Sequence, residues 1–197
     1  MMKPEIIRAG KVVLRPKRTE DAEDDYAWRC DEELAELDAT TPLMQPFRQF
    51  LRYYEDDLKH PSPWSLRLAI DDLDGNHIGN VMCYDINAHF GEAELGIMIG
   101  NRDYWSKSFG YHTMVGLIDH IFRATDLKRL YLHTLDWNVR AQSSFRRCGF
   151  RGVRTVRRNG RDLILMELTR DYWLQNRDEK LLPLREAEAL TQHRQHV

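Results

Sequence analysis

The sequence predicts an α/β fold, because apolar segments with strand character alternate with segments whose apolar residues recur at helical spacing. In residues 94–113 a strand leads through a turn of small residues into a helix that begins near Gly110. The apolar residues that follow fall on one helical face: Met114, Leu117, Ile118, Ile121 and Phe122. A second apolar run, residues 129–135, precedes a short helix that starts at Asn138 and ends at Gly149, a natural C-cap.

Local signals define the elements of the N-terminal half. Residues 11–15 predict a short strand, and the Thr-Glu-Asp sequence at 19–21 is suited to cap a helix that continues to Trp28. Residues 47–58 predict a second helix, which the proline-containing segment 61–63 ends. The N-terminal half is therefore predicted to contribute one strand and two helices before the sheet continues.

Alternating residues and turn dipeptides predict two further pairs of strands. Residues 65–70 and 78–87 alternate on either side of an Asp-Gly-Asn turn. Residues 153–156 and 163–168 form a hairpin over the Asn-Gly dipeptide at 159–160. These segments complete the set of strands expected from the sequence.

Composition predicts one domain, residues 1–173, followed by a charged tail, residues 174–197, that is helical or mobile. A chain of 197 residues can bury one sizeable core, and 42% hydrophobic with 30% charged residues is ordinary for a globular protein. Within the tail, residues 181–190 predict a solvated helix.

Charge and cysteine usage exclude several classes of protein. The formal net charge is −2, which gives no global attraction to nucleic acid or to a membrane surface. The three cysteines are widely spaced and form no C-x-x-C pair, so a cytoplasmic, reducing location is expected rather than a disulfide framework. No metal site is expected, since the histidines lack ligand spacing except at His193 and His196 in the tail. The sequence also shows neither a membrane span nor a signal peptide.

The turn between the strand and the helix of residues 94–113 is suited to bind a phosphate. The first amides of a helix lack helical partners, and the positive end of the helix dipole favours an anion. Lys107 adds a cation at the same place. Many turns between a strand and a helix share these features, so this segment alone is a weak signal.

Together with the second segment, the turn resembles the GNAT family of acetyl-CoA-dependent N-acetyltransferases, and within it the ribosomal-protein-alanine-acetyltransferase-like (Rim-type) branch. The pyrophosphate loop of that branch is often Tyr-Trp-Gly-Lys-Gly-Tyr-Gly, and residues 104–110 read Tyr-Trp-Ser-Lys-Ser-Phe-Gly. The second family signature corresponds here to Asn138, Ala141, Phe145, Gly149 and Phe150. The resemblance covers roughly residues 12–173.

The resemblance implies a GNAT fold, a mixed and mostly antiparallel twisted sheet whose two central parallel strands, residues 94–99 and 130–135, splay apart. Acetyl-CoA, as co-substrate, would lie in that wedge. Its pantetheine would pair with the backbone of Ile97, Met98 and Ile99, and the amide of Ile97 would polarise the thioester oxygen. Its pyrophosphate would bind the loop formed by Trp105, Ser106, Lys107, Ser108, Phe109 and Gly110.

Charged and amide side chains of the two signatures are further candidates for binding coenzyme A. Asn138 would contact the pantetheine, or cap its helix, or do both. Arg140 belongs to a group of cationic side chains suited to bind phosphates. For any single one of them, a place on a solvated helix face explains its charge equally well. The other members of the group are Arg102, Lys107, Arg146 and Arg147.

Glu94 is the candidate catalytic base, since an amine must lose a proton before it attacks a thioester. The alternative is a structural ion pair between Glu94 and a neighbouring arginine. Three histidines are less favoured alternatives as the base: His89, His112 and His133.

Three residues depart from the family pattern. Ser106 and Ser108 replace glycines, and a Cβ disfavours positive φ. Phe145 stands where many relatives have a tyrosine general acid, which leaves Ser144 and Tyr104 as proton donors. These departures favour an alternative function, a GNAT-fold binding or regulatory module with weak or absent turnover.

The acceptor is left open by the sequence. A protein N-terminus, a polyamine, an amino sugar and another small amine are all compatible with the resemblance, whereas nucleic acid and membranes are not expected as partners. A homodimer is possible. A cluster of acidic residues hints at a cationic acceptor, although a solvated helix face explains it as well: Asp24, Asp25, Asp31, Glu32 and Glu33.

Overall fold

The computed structural model describes residues 5–194, which form one eight-stranded sheet flanked by helices. The order of strands in the sheet is β1-β2-β3-β4-β5-β6-β8-β7. The strands are β1 (Ile7–Ala9), β2 (Val12–Pro16), β3 (Leu66–Asp71), β4 (His77–Asn87), β5 (Glu92–Ile99), β6 (Arg129–Leu135), β7 (Arg151–Arg158) and β8 (Arg161–Thr169). Residues 1–4 of the predicted domain, and residues 195–197 of the predicted tail with His196, lie outside the described residues.

Six α-helices and two short 3-10 helices connect the strands in the described part of the chain. The α-helices are α1 (Ala22–Cys30), α2 (Glu32–Leu37), α3 (Phe47–Lys59), α4 (Phe109–Ala124), α5 (Val139–Cys148) and α6 (Arg170–Arg194). The 3-10 helices are Thr19–Asp21 and Arg102–Tyr104. None of the helices in residues 5–194 is both long enough and apolar enough to cross a membrane.

Adjacent strands pair antiparallel throughout this sheet, except for β5 and β6. These two pair in parallel over three positions only, and the last pair is Glu94 with Tyr131. Beyond it, β5 continues to Ile99 and β6 to Leu135 without pairing to each other. The mixed sheet and the splayed central strands predicted from the sequence are therefore confirmed.

Helix α4 forms the centre of the core on one side of the sheet. It is buried without interruption from Tyr111 to Asp119, a length of more than two turns, so every side of the helix is covered there. A Cβ added at Gly116 would lie 2.4 Å from the Cβ of Ala9, so this glycine allows β1 to pass close to the helix. The close approach fixes the edge of the sheet against α4.

Helix α5 ends where the sequence predicts. Gly149 adopts φ 108°, a left-handed conformation that glycine reaches without a steric penalty. At the other end of α5, the side-chain oxygen of Asn138 accepts a hydrogen bond from the amide of Ala141 at 3.1 Å. Local sequence alone accounts for both ends of this helix.

The C-terminal helix differs from the solvated helix predicted for residues 181–190. Helix α6 begins at Arg170 and packs against α4, with Trp173 and Leu184 buried. The Tyr111 hydroxyl donates to the carbonyl of Lys180 at 2.9 Å, and the amide of Gly10 donates to Glu188 Oε1 at 2.9 Å. The polar pattern of the sequence concealed this packing because few of the residues of α6 face the core.

His112 is a buried titratable group at the junction of β1, β2 and α4. Its side chain accepts a hydrogen bond at Nδ1 from the amide of Lys11, at 3.2 Å. Burial, together with the Lys11 charge, lowers the pKa of His112 to about 4. An unfolded histidine titrates near pH 6.5, so the unfolded chain binds more protons than the folded chain between these two values. The free energy of unfolding must therefore fall as the pH drops from about 6.5 to about 4.

We expect His112→Asn to flatten this pH dependence, because the amide oxygen keeps an acceptor for Lys11 but does not titrate. In the wild type, the His112 contribution to the fall amounts to as much as about 3 kcal/mol across the window. Urea unfolding at pH 7 and pH 4.5 measures the difference for both proteins. The same pH dependence in the two would contradict a buried neutral His112.

Candidate active site

A cleft of about 610 Å³ opens where β5 and β6 separate. It is bounded by β5, the loop 104–108, the start of α4, the end of β6, and α5. Most of the predicted site residues line it: Glu94, Ile97, Met98, Ile99, Trp105, Ser106, Ser108, Phe109, Gly110, Asn138 and Arg140. Lys107 of the same loop does not, because its side chain is exposed and is not part of the cleft wall.

The backbone of β5 presents hydrogen-bonding groups to the cleft. The amide of Gly100 donates to the carbonyl of Ile78 at 3.0 Å, and the pairing with β4 is regular from Ile99 back to Glu94. In an antiparallel ladder, successive residues direct their amides and carbonyls to opposite sides. Those of Met98 therefore face β4, whereas those of Ile97 and Ile99 face the cleft.

Trp105 closes part of the gap between the two sides of the cleft. Its indole Nε1 donates to the carbonyl of Ile99 at 2.7 Å. The guanidinium of Arg140, from α5, lies 4.0 Å from the centroid of its ring. This indole links the loop to β5 by a hydrogen bond and to α5 by a cation–π contact.

The two serines of the loop adopt the conformation usually reserved for glycine. Ser106 has φ 58° and Ser108 has φ 69°, both in the left-handed region. Ser108 immediately precedes α4, and the first helical hydrogen bond runs from the amide of His112 to the carbonyl of Ser108. The amides of the first turn of α4 are therefore not used by the helix and lie at the cleft, where they can bind an anion.

The predicted group of cations is divided by the structure. Arg140 and Arg147 line the cleft, and the Arg147 guanidinium lies 4.1 Å from the ring centroid of Tyr111. Arg102 is instead engaged by Asp31 at 2.8 Å and by Glu33 at 2.7 Å. The Arg146 guanidinium donates to Gln142 Oε1 at 3.0 Å. Arg158, which the sequence did not indicate, also lines the cleft.

Glu94 lies at the point where the strands part, with its side chain 6% exposed. Its Oε1 is 2.7 Å from Nδ1 of His133, which reaches across from β6. The ion pair with an arginine, the alternative for Glu94, is absent from the described contacts: the neighbouring Arg129 pairs with Glu92 and Glu167. Glu94 is thus a buried carboxylate in the cleft wall with a histidine partner.

Tyr84 is a neighbour of Glu94 that the sequence did not reveal. It lies opposite Glu94 in the ladder between β4 and β5 and also lines the cleft. Burial and the Glu94 carboxylate raise the pKa of the Tyr84 phenol, so this hydroxyl stays protonated. Tyr84 and Glu94 become neighbours through the register between β4 and β5, which the local sequence does not reveal.

The other predicted proton-transfer residues occupy different environments. His89 is exposed, and His112 is buried beside Lys11, so neither lines the cleft. The Tyr104 hydroxyl donates to Asp72 Oδ2 at 2.7 Å, although its ring lines the cleft. Ser144 and Phe145 both line the cleft, and the Phe145 ring lies 6.2 Å from that of Phe150.

The acidic cluster that hinted at a cationic acceptor is largely used in ion pairs. Asp25 is buried against Lys17 at 2.6 Å and His77 at 3.2 Å. Asp31 and Glu33 engage Arg102, as described above. These carboxylates are therefore engaged in ion pairs and do not present free charge to a cationic acceptor. Asp38, at the end of α2, lines the cleft instead.

We expect Ser106→Gly and Ser108→Gly each to raise the free energy of unfolding by about 0.5–1 kcal/mol. Glycine removes a left-handed backbone cost of about 1–2 kcal/mol, and the greater entropy of the unfolded chain offsets part of it. As a control, Ser143→Gly on the exposed face of α5 should lower stability by about 0.5 kcal/mol. Chemical denaturation measures all three, and a loss of stability at both loop positions would contradict strain at these serines.

Many solved structures resemble this fold, including the following three acetyltransferases. A spermidine N-acetyltransferase from Vibrio cholerae in complex with CoA and spermine has a TM-score of 0.74 and 20% identity, and the match covers 83% of this chain and 98% of that one. The aminoglycoside acetyltransferase AAC(6')-Ib in complex with coenzyme A has a TM-score of 0.69 and 18% identity, and the match covers 84% of this chain and 99% of that one. A GNAT-family acetyltransferase from Bacillus anthracis has a TM-score of 0.72 and 11% identity, and the match covers 85% of this chain and 99% of that one. At these identities the similarity shows the fold.

Sequence comparison assigns the family. A search of curated proteins found no match. The family described as an acetyltransferase (GNAT) domain matches residues 11–151, which include both signature segments and the cleft strands β5 and β6. The predictions of an acetyltransferase and of acetyl-CoA as its co-substrate are confirmed at the level of the family. This chain belongs to the GNAT family of acetyltransferases.

Proposed function

We propose that this chain transfers an acetyl group from acetyl-CoA directly to a primary amine. The observation that carries the proposal is the edge of β5, where the amide and carbonyl of Ile97 and the amide of Ile99 face the cleft near the Glu94 carboxylate, while the Ile99 carbonyl accepts from Trp105. An open strand edge can pair with the amides of an extended chain such as pantetheine. A carboxylate at the same place can take the proton of an attacking amine.

The loop before α4 and the arginines of α5 are suited to the phosphates of coenzyme A. The free amides of the first turn of α4 and the loop 105–110 would receive the pyrophosphate. Arg147 lies near Ser108, with its Nη1 3.5 Å from the serine Oγ, so its charge is close to the proposed phosphate position. Asn138 uses only its side-chain oxygen to cap α5, which leaves its amide nitrogen for the pantetheine.

An ammonium acceptor loses two protons from its nitrogen while one bond is exchanged for another. Glu94 takes the first proton and frees the nitrogen lone pair, which forms the new bond to the thioester carbon as the carbon–sulfur bond breaks. The departing thiolate then takes up the second nitrogen proton, so that the products are the amide and the thiol of coenzyme A. The amide of Ile97, which faces the cleft, would donate to the developing oxyanion. A thiol has a pKa near 8.5, so its thiolate can leave without a strong general acid. Phe145 therefore does not preclude turnover.

For the acceptor, we propose a small cationic amine. Glu94 and Asp38 both line the cleft, and each offers a carboxylate that can bind an ammonium, although Asp38 also lies 3.9 Å from the guanidinium of Arg29. The spermine complex and the aminoglycoside enzyme among the structural neighbours are compatible with this class. The resemblance of the signatures to the Rim-type branch supports a protein N-terminus as a second acceptor for the test.

The alternative of a regulatory module without turnover depended on the serines and on Phe145. Ser106 and Ser108 both adopt the left-handed conformation, which removes the backbone part of the argument for a regulatory module. Thermal-shift titration with acetyl-CoA and assays of thiol release with polyamines, aminoglycosides and N-terminal peptides separate the two functions. A ligand at one hundred times its Kd adds about 2.7 kcal/mol of stability. Tight binding without release of thiol to any amine would favour the regulatory module.

We expect Arg147→Glu to weaken acetyl-CoA binding by about 10- to 100-fold, the loss typical of a charge-assisted hydrogen bond of about 1.5–3 kcal/mol. Lys107→Glu should have a clearly smaller effect, because the Lys107 side chain lies outside the cleft wall. Calorimetric titration of both variants measures Kd directly. A larger loss for Lys107→Glu would place the phosphates on the outer side of the loop.

We expect Glu94→Gln to lower kcat by about 10²-fold at neutral pH, with little change in the Kd for acetyl-CoA, because the amide cannot accept the proton. The loss should shrink at high pH, where the amine deprotonates without help. Glu92→Gln is the matched control, since Glu92 lies on the same strand but pairs with Arg129. Wild-type turnover by Glu94→Gln at every pH would remove Glu94 from the mechanism.

A further inference from the structure

We infer that His133 is a positioning residue for Glu94, holding one carboxylate oxygen so that the other is presented to the amine. This inference rests on the proposed acetyl transfer, in which Glu94 is the base. His133 would act through Glu94 and would not itself take the proton.

The position of the pair in the sheet supports this role. Glu94 and Tyr131 form the last parallel pair between β5 and β6, and His133 lies two residues further along β6 on the same face as Tyr131. Its ring therefore reaches back toward β5 across the start of the gap. The bond between Nδ1 and Oε1, at 2.7 Å, joins the two strands by side chains where their backbone pairing has ended.

The burial of the two side chains makes Glu94 dependent on its hydrogen bond with His133. The side chains of Glu94 and His133 are 6% and 8% exposed, so little water is available to replace this partner. Without His133, the Glu94 carboxylate would keep only the neighbouring Tyr84 hydroxyl as a donor, so it would bear a larger desolvation cost and take up other orientations. Among the described residues that line the cleft, His133 is the only histidine.

One proton lies between Oε1 and Nδ1 in a bond of this length. With Glu94 ionised, that proton belongs to Nδ1, so the histidine donates this hydrogen bond to the carboxylate. The second carboxylate oxygen, Oε2, then remains to accept the proton of the amine. The bond from Nδ1 persists through that step, so the histidine fixes the orientation of Glu94 and neither gains nor loses a proton.

Three substitutions distinguish positioning from mere packing. The amide of Asn can reach the place of Nδ1, that of Gln reaches nearer the place of Nε2, and Leu keeps bulk without a donor. We expect His133→Leu and His133→Gln to lower kcat by about 10- to 100-fold, with the Kd for acetyl-CoA unchanged. His133→Asn should keep kcat within a few-fold of the wild type. Thermal unfolding of each variant establishes that it is folded under the assay conditions.

Several results would overturn the inference. Wild-type kcat in His133→Leu would show that the hydrogen bond has no part in turnover. Rescue by Gln but not by Asn would place the functional contact at Nε2. A loss confined to the Kd for acetyl-CoA would make His133 a binding residue instead.

A nitrogen-15 NMR measurement on the histidines decides the geometry without turnover. In the wild type at neutral pH we expect Nδ1 of His133 to carry the proton, with a strongly downfield proton signal that moves upfield in Glu94→Gln. Protonation at Nε2 alone would contradict the inference. Absence of acetyl transfer by the wild type to every amine would reject the proposed function, while this measurement would still decide whether His133 holds Glu94.

Discussion

The short parallel pairing of β5 with β6 is the constraint on which the candidate site depends. It extends over three residue pairs and ends at Glu94 and Tyr131, after which the strands separate. If the pairing continued, the backbone of Ile97 and Ile99 would bond to β6 and no edge would face the cleft. The same termination places Glu94 at the apex of the gap, so the geometry of one ladder provides both a binding edge and a carboxylate.

Different interactions stabilise the two ends of the region where β5 and β6 separate. At the paired end, Arg129 bonds to Glu92 at 2.7 Å and to Glu167 at 2.8 Å, which joins β5, β6 and β8. At the open end, Trp105 bonds to the carbonyl of Ile99 and stacks beneath Arg140. Between them, the gap is spanned by side chains rather than backbone. The opening is therefore an ordered part of the fold and not a defect in the sheet.

Local sequence predicted the elements whose ends depend on local chemistry, such as Asn138 and Gly149 at the ends of α5. It did not predict the packing of α6, because that helix has few core-facing residues and its docking depends on partners on α4. At Ser106 and Ser108, the tertiary structure imposes a left-handed backbone conformation that serine disfavours. The pairing of Glu94 with His133, and the place of Tyr84, depend on strand register, which residues far apart in sequence determine together.

The central claim is that acetyl-CoA lies between β5 and β6 along the strand edge. Titrating the nitrogen-15-labelled protein with acetyl-CoA, and following each amide by NMR, tests it most directly. The account predicts the largest changes at the amides of Ile97 and Ile99, at the Trp105 indole, and in residues 106–110, with little change in β1 and β7. Binding that leaves these signals unmoved, or that shifts mainly residues outside the cleft, would contradict the account.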